Sequence, residues 1–152
     1  METNDSQISL LIIYTGGTIG MVKDPVSGAL KPFDINNLYK HIPVLESYPF
    51  KIDSIAFDPL IDSSSINHGH IIKLARTIRD HYEEYDGFVV LHGSDTMAYT
   101  ASFLSFMLEN LNKPVILTGA QLPLGILRSD GRENLINAIE IASANDDGTP
   151  LV

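Results

Sequence analysis

The feature that most constrains this chain is the way its apolar runs stop. Leu10-Leu11-Ile12-Ile13 is an unbroken apolar stretch, the pattern of a strand covered on both faces in a parallel sheet, and it halts at Gly16-Gly17. Phe88-Val89-Val90-Leu91 halts at His92-Gly93-Ser94-Asp95, and Pro114-Val115-Ile116-Leu117 halts at Thr118-Gly119-Ala120-Gln121. Strands this apolar need cover on both sides, and the segments between them supply it. Ile71, Leu74, Ala75, Ile78 and Tyr82 keep a helical period after a cap at Asn67 or a neighbouring serine. A second helix is expected from about Thr96 to Asn110; it is apolar on much of its surface, through Met97, Ala98, Ala101, Phe103, Leu104, Phe106, Met107 and Leu108, and is therefore expected to be buried against the sheet. A third follows Ser129-Asp130 and carries Leu135, Ile136, Ala138, Ile139 and Ala142.

The remaining segments are less regular. Asp24-Pro25, Ser27-Gly28 and Lys31-Pro32 punctuate Met21 to Phe33, which reads as a mobile loop or irregular hairpin placed to cover the Gly16-Gly17 corner, or as a plain connection. Asp34 can cap a short helix to about His41, ended by Pro43. Ile52, Ile55 and Phe57 form another strand, stopping at Asp58-Pro59. Asn145-Asp146-Asp147-Gly148 is a turn, and Leu151-Val152 opens a further strand. Alternation of strand and helix predicts one α/β domain over residues 1–152, a Rossmann- or flavodoxin-like three-layer sandwich with a largely parallel sheet. A hydrophobic content of 44% is enough to build its core.

Charge and composition remove several classes of function. Ten basic and nineteen acidic residues give a formal charge of −9, which argues against nucleic acid or an anionic membrane as partner. The absence of cysteine excludes disulfides and thiolate metal sites. The polar, acidic start and the lack of any apolar run of membrane-spanning length point to a cytoplasmic protein. Neither a dinucleotide glycine fingerprint nor a phosphate-loop lysine follows the first strand, so no cofactor is expected. His68 and His70 read as solvated or capping rather than as ligands, so no metal is expected either, and His92, with no pairing partner in view, reads as a structural hydrogen-bonding group rather than a base.

What remains is hydroxyl and carboxylate chemistry at one edge. In an open α/β sheet ligands bind beyond the carboxyl ends of the strands. Gly16 and Gly17 let a small ligand approach free N–H groups able to hold an oxyanion, and Thr15 and Thr18 offer possible nucleophiles. Ser94 stands beside Asp95, and Asp62-Ser63-Ser64-Ser65 carries more hydroxyls than a helix cap needs. A tight turn and ordinary caps would use the same residues; it is the convergence of polar strand ends that favours an acyl-transfer site.

Thr15-Gly16-Gly17-Thr18-Ile19-Gly20 and His92-Gly93-Ser94-Asp95-Thr96-Met97 together resemble the two signature motifs of bacterial-type L-asparaginases. Thr118-Gly119-Ala120-Gln121, Ser129-Asp130-Gly131 and Asn134-Leu135 continue the likeness over nearly the whole chain from about Ile8. The stretches Ala98 to Ala101 and Leu104 to Leu111 resemble the cytoplasmic, type I branch. The resemblance implies hydrolysis of L-asparagine, with Thr18 attacking the side-chain amide carbonyl to give a β-aspartyl ester. It implies that Ser94 and Asp95 work with a lysine to activate nucleophile or water, and that Asp95 also holds the substrate's α-ammonium. Asp62 and Ser63 match the loop that grips the substrate's charged ends, and backbone N–H groups near Gly17 and Ser94 the oxyanion hole. It also implies a homodimer or homotetramer.

Three departures accompany the resemblance. Ser94 replaces the usual threonine; Ala29 follows Gly28 where many members carry a catalytic tyrosine, a role that sequence does not assign to Tyr14; and the family's catalytic lysine and second domain are not found within residues 1–152. The family's catalytic lysine lies beyond the last strand begun here, so the chain matches an N-terminal asparaginase domain expected to be inactive alone. The asparaginase-like subunit of a glutamyl-tRNA amidotransferase and a non-catalytic amino-acid-binding module are the alternatives.

Overall fold

Successive side chains of a strand point to opposite faces, and the first strand uses both. In the computed structural model, which describes residues 7–32, 34, 38–146 and 149–150, β1 is Ser9–Tyr14. Leu10, Ile12 and Tyr14 enter one core layer, Leu11 and Ile13 the other, and all five are at most 1% exposed. This two-sided burial is why the run is apolar without alternation.

In chain order there follow β2 (Met21–Lys23), β3 (Leu30–Pro32), α1 (Leu38–His41), β4 (Lys51–Ala56), α2 (His68–Asp80), β5 (Gly87–Leu91), α3 (Met97–Met107), β6 (Val115–Thr118), α4 (Asp130–Ser143), β7 (Asn145–Asp146) and β8 (Thr149–Pro150). The main sheet has the order β4-β1-β5-β6 with every pairing parallel. On one face Ile71, Leu74, Ala75 and Ile78 of α2 and Leu104 of α3 pack on Leu11, Ile13, Phe88 and Val90. On the other, Leu135, Ala138, Ile139 and Ala142 of α4, with Leu38, Ile42 and Leu45, pack on Leu10, Ile12, Val89 and Leu91. The architecture is the expected three-layer α/β fold.

Two features of this topology position a site. The chain leaves β1 for β4 on one side and returns past β1 to β5 on the other, so the strand order reverses between β1 and β5. Such a reversal opens a crevice at the carboxyl ends. The register also aligns those ends: Tyr14 lies beside Ala56 and Leu91, and Leu91 beside Thr118.

Local signals explain the boundaries. The Asn67 side chain accepts the His70 N–H while His70 Nδ1 accepts the Asn67 N–H, closing a capping box at α2. His70 is thus a capping residue, as its position suggested. Tyr82 lies beyond the end of α2, and its hydroxyl donates to Asn112 Oδ1 at 2.6 Å. Ser129 caps α4 by accepting the Gly131 N–H. The Met21–Phe33 segment contains an antiparallel hairpin, β2 with β3, whose turn is tied by the Asp24 carboxylate to the N–H groups of Val26 and Ser27 and to Lys31. Phe33 lies outside the described residues, as do residues 35–37 between Asp34 and α1, so the proposed Asp34 cap falls outside them too. α1 ends at His41, ahead of Pro43 as expected, and past Ile42 the chain continues as a separate 3-10 turn, Pro43–Ser47. β7 and β8 pair antiparallel across the expected turn, with residues 147–148 and the Leu151-Val152 segment outside the described set.

One expectation is overturned. α3 is shorter than the Thr96–Asn110 span and buries only Thr100 and Leu104, while Tyr99, Phe103 and Phe106 are 68%, 43% and 85% exposed. At 3.6 residues per turn a helix lying on a sheet turns one stripe inward, and Thr100 and Leu104 occupy it. An apolar sequence all round the helix cannot place its opposite stripe against the same sheet. Among the described residues no helix is long and apolar enough to cross a membrane.

Candidate active site

The corner after β1 separates its two threonines. Thr15 is buried, and both its N–H and its hydroxyl donate to the Leu91 carbonyl, at 3.0 and 2.9 Å. Its oxygen is engaged within the sheet. Gly16 and Gly17 then take φ of 143° and 90°, both in the range that L side chains rarely adopt. A Cβ on Gly16 would strike the Ile61 carbonyl, and one on Gly17 would lie 2.6 Å from the Gly93 nitrogen and Cα. The glycines therefore let this corner touch the backbones of Ile61, in the loop after β4, and Gly93, just past β5. Beyond them Thr18–Gly20 forms a single 3-10 turn, closed by Gly20 N–H to the Gly17 carbonyl and anchored by buried Ile19. Thr18 is half-buried, and among the described residues its hydroxyl has no hydrogen-bond partner.

After β4 the Ile61 N–H donates to the Thr15 carbonyl at 2.8 Å, bringing the Asp62-Ser63 turn to the same edge. Asp62 caps this turn by accepting the Ser64 N–H and hydroxyl, and the backbone donor holds its carboxyl below the usual range. Ser63 is buried; its hydroxyl donates to Asp95 Oδ2 at 3.2 Å and its carbonyl accepts the Thr96 hydroxyl at 2.8 Å. Gly93 leaves room for Ser63, since a Cβ there would collide with the Ser63 hydroxyl.

His92 fixes the corner after β5 from beneath. Its N–H donates to the Thr118 carbonyl, Nδ1 lies 2.6 Å from the Gly93 carbonyl, and Nε2 lies 2.9 Å from the Thr100 hydroxyl. A carbonyl only accepts, so Nδ1 carries the proton and Nε2 accepts from Thr100. Burial lowers the imidazole pKa and favours this neutral form. His92 is a structural group.

At the mouth, Ser94 and Asp95 are exposed. The Gln121 side-chain amide donates to the Ser94 hydroxyl at 3.1 Å, leaving the serine proton free to point elsewhere. Gln121 is itself held from β6, because the N–H groups of Gln121 and Leu122 donate to the two Asp130 oxygens at 2.9 Å each. Gln121 and Thr96 are the site neighbours that sequence reasoning left without roles; the only available signal was the position of each at a polar strand end.

The fold thus brings Gly17 against Gly93, Ser63 against Asp95, and Ser94 against Gln121, with Thr18 on the adjoining turn. Asp62 shares the edge, but its carboxylate faces its own turn. A groove of about 510 Å³ lies between α2 and the end of α3, lined by Ile72, Arg76, Tyr82, Met107 and Leu108. It sits toward the opposite end of the strands and shares none of these residues. Among the described residues no group of three histidine or acidic side chains is placed to hold a metal ion. The side chains gathered at this edge are hydroxyls and a carboxylate, beside the closely apposed backbones of Gly17 and Gly93.

Comparison with known proteins places the fold in a family. The family described as "Asparaginase, N-terminal" matches residues 9–152. The chain is 49% identical to L-asparaginase 1 of Escherichia coli K12 over 140 residues, covering 89% of this chain and 40% of that protein. The crystal structure of L-asparaginase I from Vibrio cholerae superposes with a TM-score of 0.82 at 43% identity, over 95% of this chain and 43% of that one. The structure titled probable cytoplasmic L-asparaginase from Campylobacter jejuni superposes with a TM-score of 0.79 at 32% identity, over 95% of this chain and 44% of that one. The chain thus spans less than half the length of each of these relatives, and with the N-terminal family model matching residues 9–152 it belongs to the asparaginase family.

Proposed function

We propose that the full-length protein hydrolyses L-asparagine to L-aspartate and ammonia through an acyl-enzyme on Thr18. The Thr18 oxygen attacks the side-chain amide carbon, the C–N bond breaks, and the nitrogen leaves as ammonia after taking a proton. Water then attacks the ester carbonyl, the C–O bond to Thr18 breaks, and the hydroxyl is restored. Backbone N–H groups near Gly17 and Ser94 serve the developing oxyanion. Asp95 accepts the substrate's α-ammonium and, with Ser94, takes part in activating nucleophile or water; Ser63 and Asp62 bind the charged end of the substrate. The protein works in the cytoplasm as a homodimer or homotetramer and needs no metal or cofactor.

The observation that carries this reading is the contrast at one corner: Thr15 is buried with its hydroxyl on the Leu91 carbonyl, whereas Thr18 is half-exposed with no partner among the described residues. A nucleophile must keep its oxygen within reach of substrate, and of these two threonines only Thr18 is not buried. The net charge of −9 suits a zwitterionic substrate better than an anionic polymer.

The test is ammonia release from asparagine by the full-length protein and by residues 1–152 alone. Release by the full-length protein that disappears in Thr18→Ala is expected, with none from the isolated domain. Asparagine binding without product would select a non-catalytic binding module instead.

A further inference from the structure

The turn that carries Thr18 rests on one buried phenol. Tyr14, the last residue of β1, is 1% exposed, and its ring fills the space where any side chain at position 20 would go. A Cβ on Gly20 would fall on the ring, 2.6 Å from the phenolic oxygen. The Tyr14 hydroxyl donates to the Gly20 carbonyl at 3.0 Å and reaches the Gly17 carbonyl at 3.4 Å. Those two carbonyls bracket the 3-10 turn, which is closed by the Gly20 N–H on the same Gly17 carbonyl.

We propose that Tyr14 is a positioning residue for the nucleophile, and that Gly20 is glycine because the Tyr14 ring occupies its side-chain space. Because the peptide is planar and trans, the Gly17 carbonyl and the Thr18 N–H point in opposite directions. Drawing that carbonyl toward the buried phenol turns the Thr18 N–H away from it, so one hydroxyl sets both the placement of the Thr18 side chain and the direction of a backbone donor beside it. Burial pushes the phenol's pKa up to about 12, so it remains a proton donor at neutral pH. The position of Tyr14 under the turn differs from that of a group on a loop above the site: it shapes the corner without facing the substrate.

This inference rests on Thr18 being the nucleophile, and two kinds of measurement keep the claims apart. In the full-length protein Tyr14→Phe retains the ring and removes only the hydroxyl. Asparagine turnover should show kcat reduced about tenfold with KM within about twofold, the scale of one positioning hydrogen bond. Amide exchange at Gly20 should quicken about tenfold, while β5 amides are unchanged. The second arm is steric. Gly20→Ala should cost about a hundredfold in kcat, and Tyr14→Ala combined with Gly20→Ala should recover about tenfold of that loss, because the new methyl enters vacated space. Unchanged kcat and unchanged Gly20 exchange in Tyr14→Phe would overturn the proposal, as would a double variant no better than Gly20→Ala, whether or not it folds. If wild-type turnover does not depend on Thr18, the proposed function fails, and the exchange result then decides separately whether Tyr14 holds the turn.

Discussion

The same motif ends in two different environments. At its inner end Thr15 belongs to the sheet, its hydroxyl satisfied by the Leu91 carbonyl; at its outer end Thr18 belongs to the crevice, half-exposed and unpartnered among the described residues. Two identical side chains three positions apart have been given opposite tasks by two glycines. Gly16 and Gly17 turn the chain out of the strand direction, and they do so against the backbones of Ile61 and Gly93. The difference teaches that one residue type can serve structure or be left open, and the threonine proposed as nucleophile is the open one.

Substitutions can break or sharpen this comparison. The largest effect is expected from Thr18→Ala in the full-length protein, a loss of about a thousandfold or more in kcat with thermal stability near that of wild type. Activity and unfolding measured on the same preparation check both halves. Gly17→Ala should come next, destabilising by about 2–3 kcal/mol in denaturant titration, because alanine disfavours φ of 90° and its methyl would meet the Gly93 backbone. Thr15→Val should reverse the Thr18 pattern. Losing the bond to Leu91 costs about 1 kcal/mol of stability while kcat stays within about twofold.

The smallest effect is a slope. His92, neutral under Gly93 and Thr100, has a pKa below its ordinary 6.5 because it is buried. Below pH 6.5 the unfolded chain takes up a proton that the folded chain refuses, so stability is full above 6.5 and falls as pH drops toward the lowered folded value. Replacing His92 by Gln should flatten stability against pH in that window; an unchanged slope would show that the imidazole is not held neutral.

The three-layer fold was legible because burial of β1 on both faces demands an unbroken apolar run, and because caps such as Asn67 and Ser129 satisfy backbone donors only a few residues away. α3 was misread for the complementary reason. Its residues are apolar all round, so periodicity cannot tell which stripe meets the sheet, and Tyr99, Phe103 and Phe106 face outward. Within the site, the polar strand ends were visible but their pairings were not. Gln121 reaches Ser94 across 27 positions of sequence only because Asp130 fixes the loop that presents it. Thr15 and Thr18 could not be separated by residue type either, since the burial of Thr15 depends on its registration against Leu91.

The most direct measurement is of the covalent step. The full-length protein mixed with asparagine, quenched in acid within the first turnover and digested for peptide mass spectrometry should carry an aspartyl ester on Thr18 and none on Thr15. An ester on Thr15, or undiminished ammonia release by Thr18→Ala, would contradict the assignment of the open threonine as nucleophile.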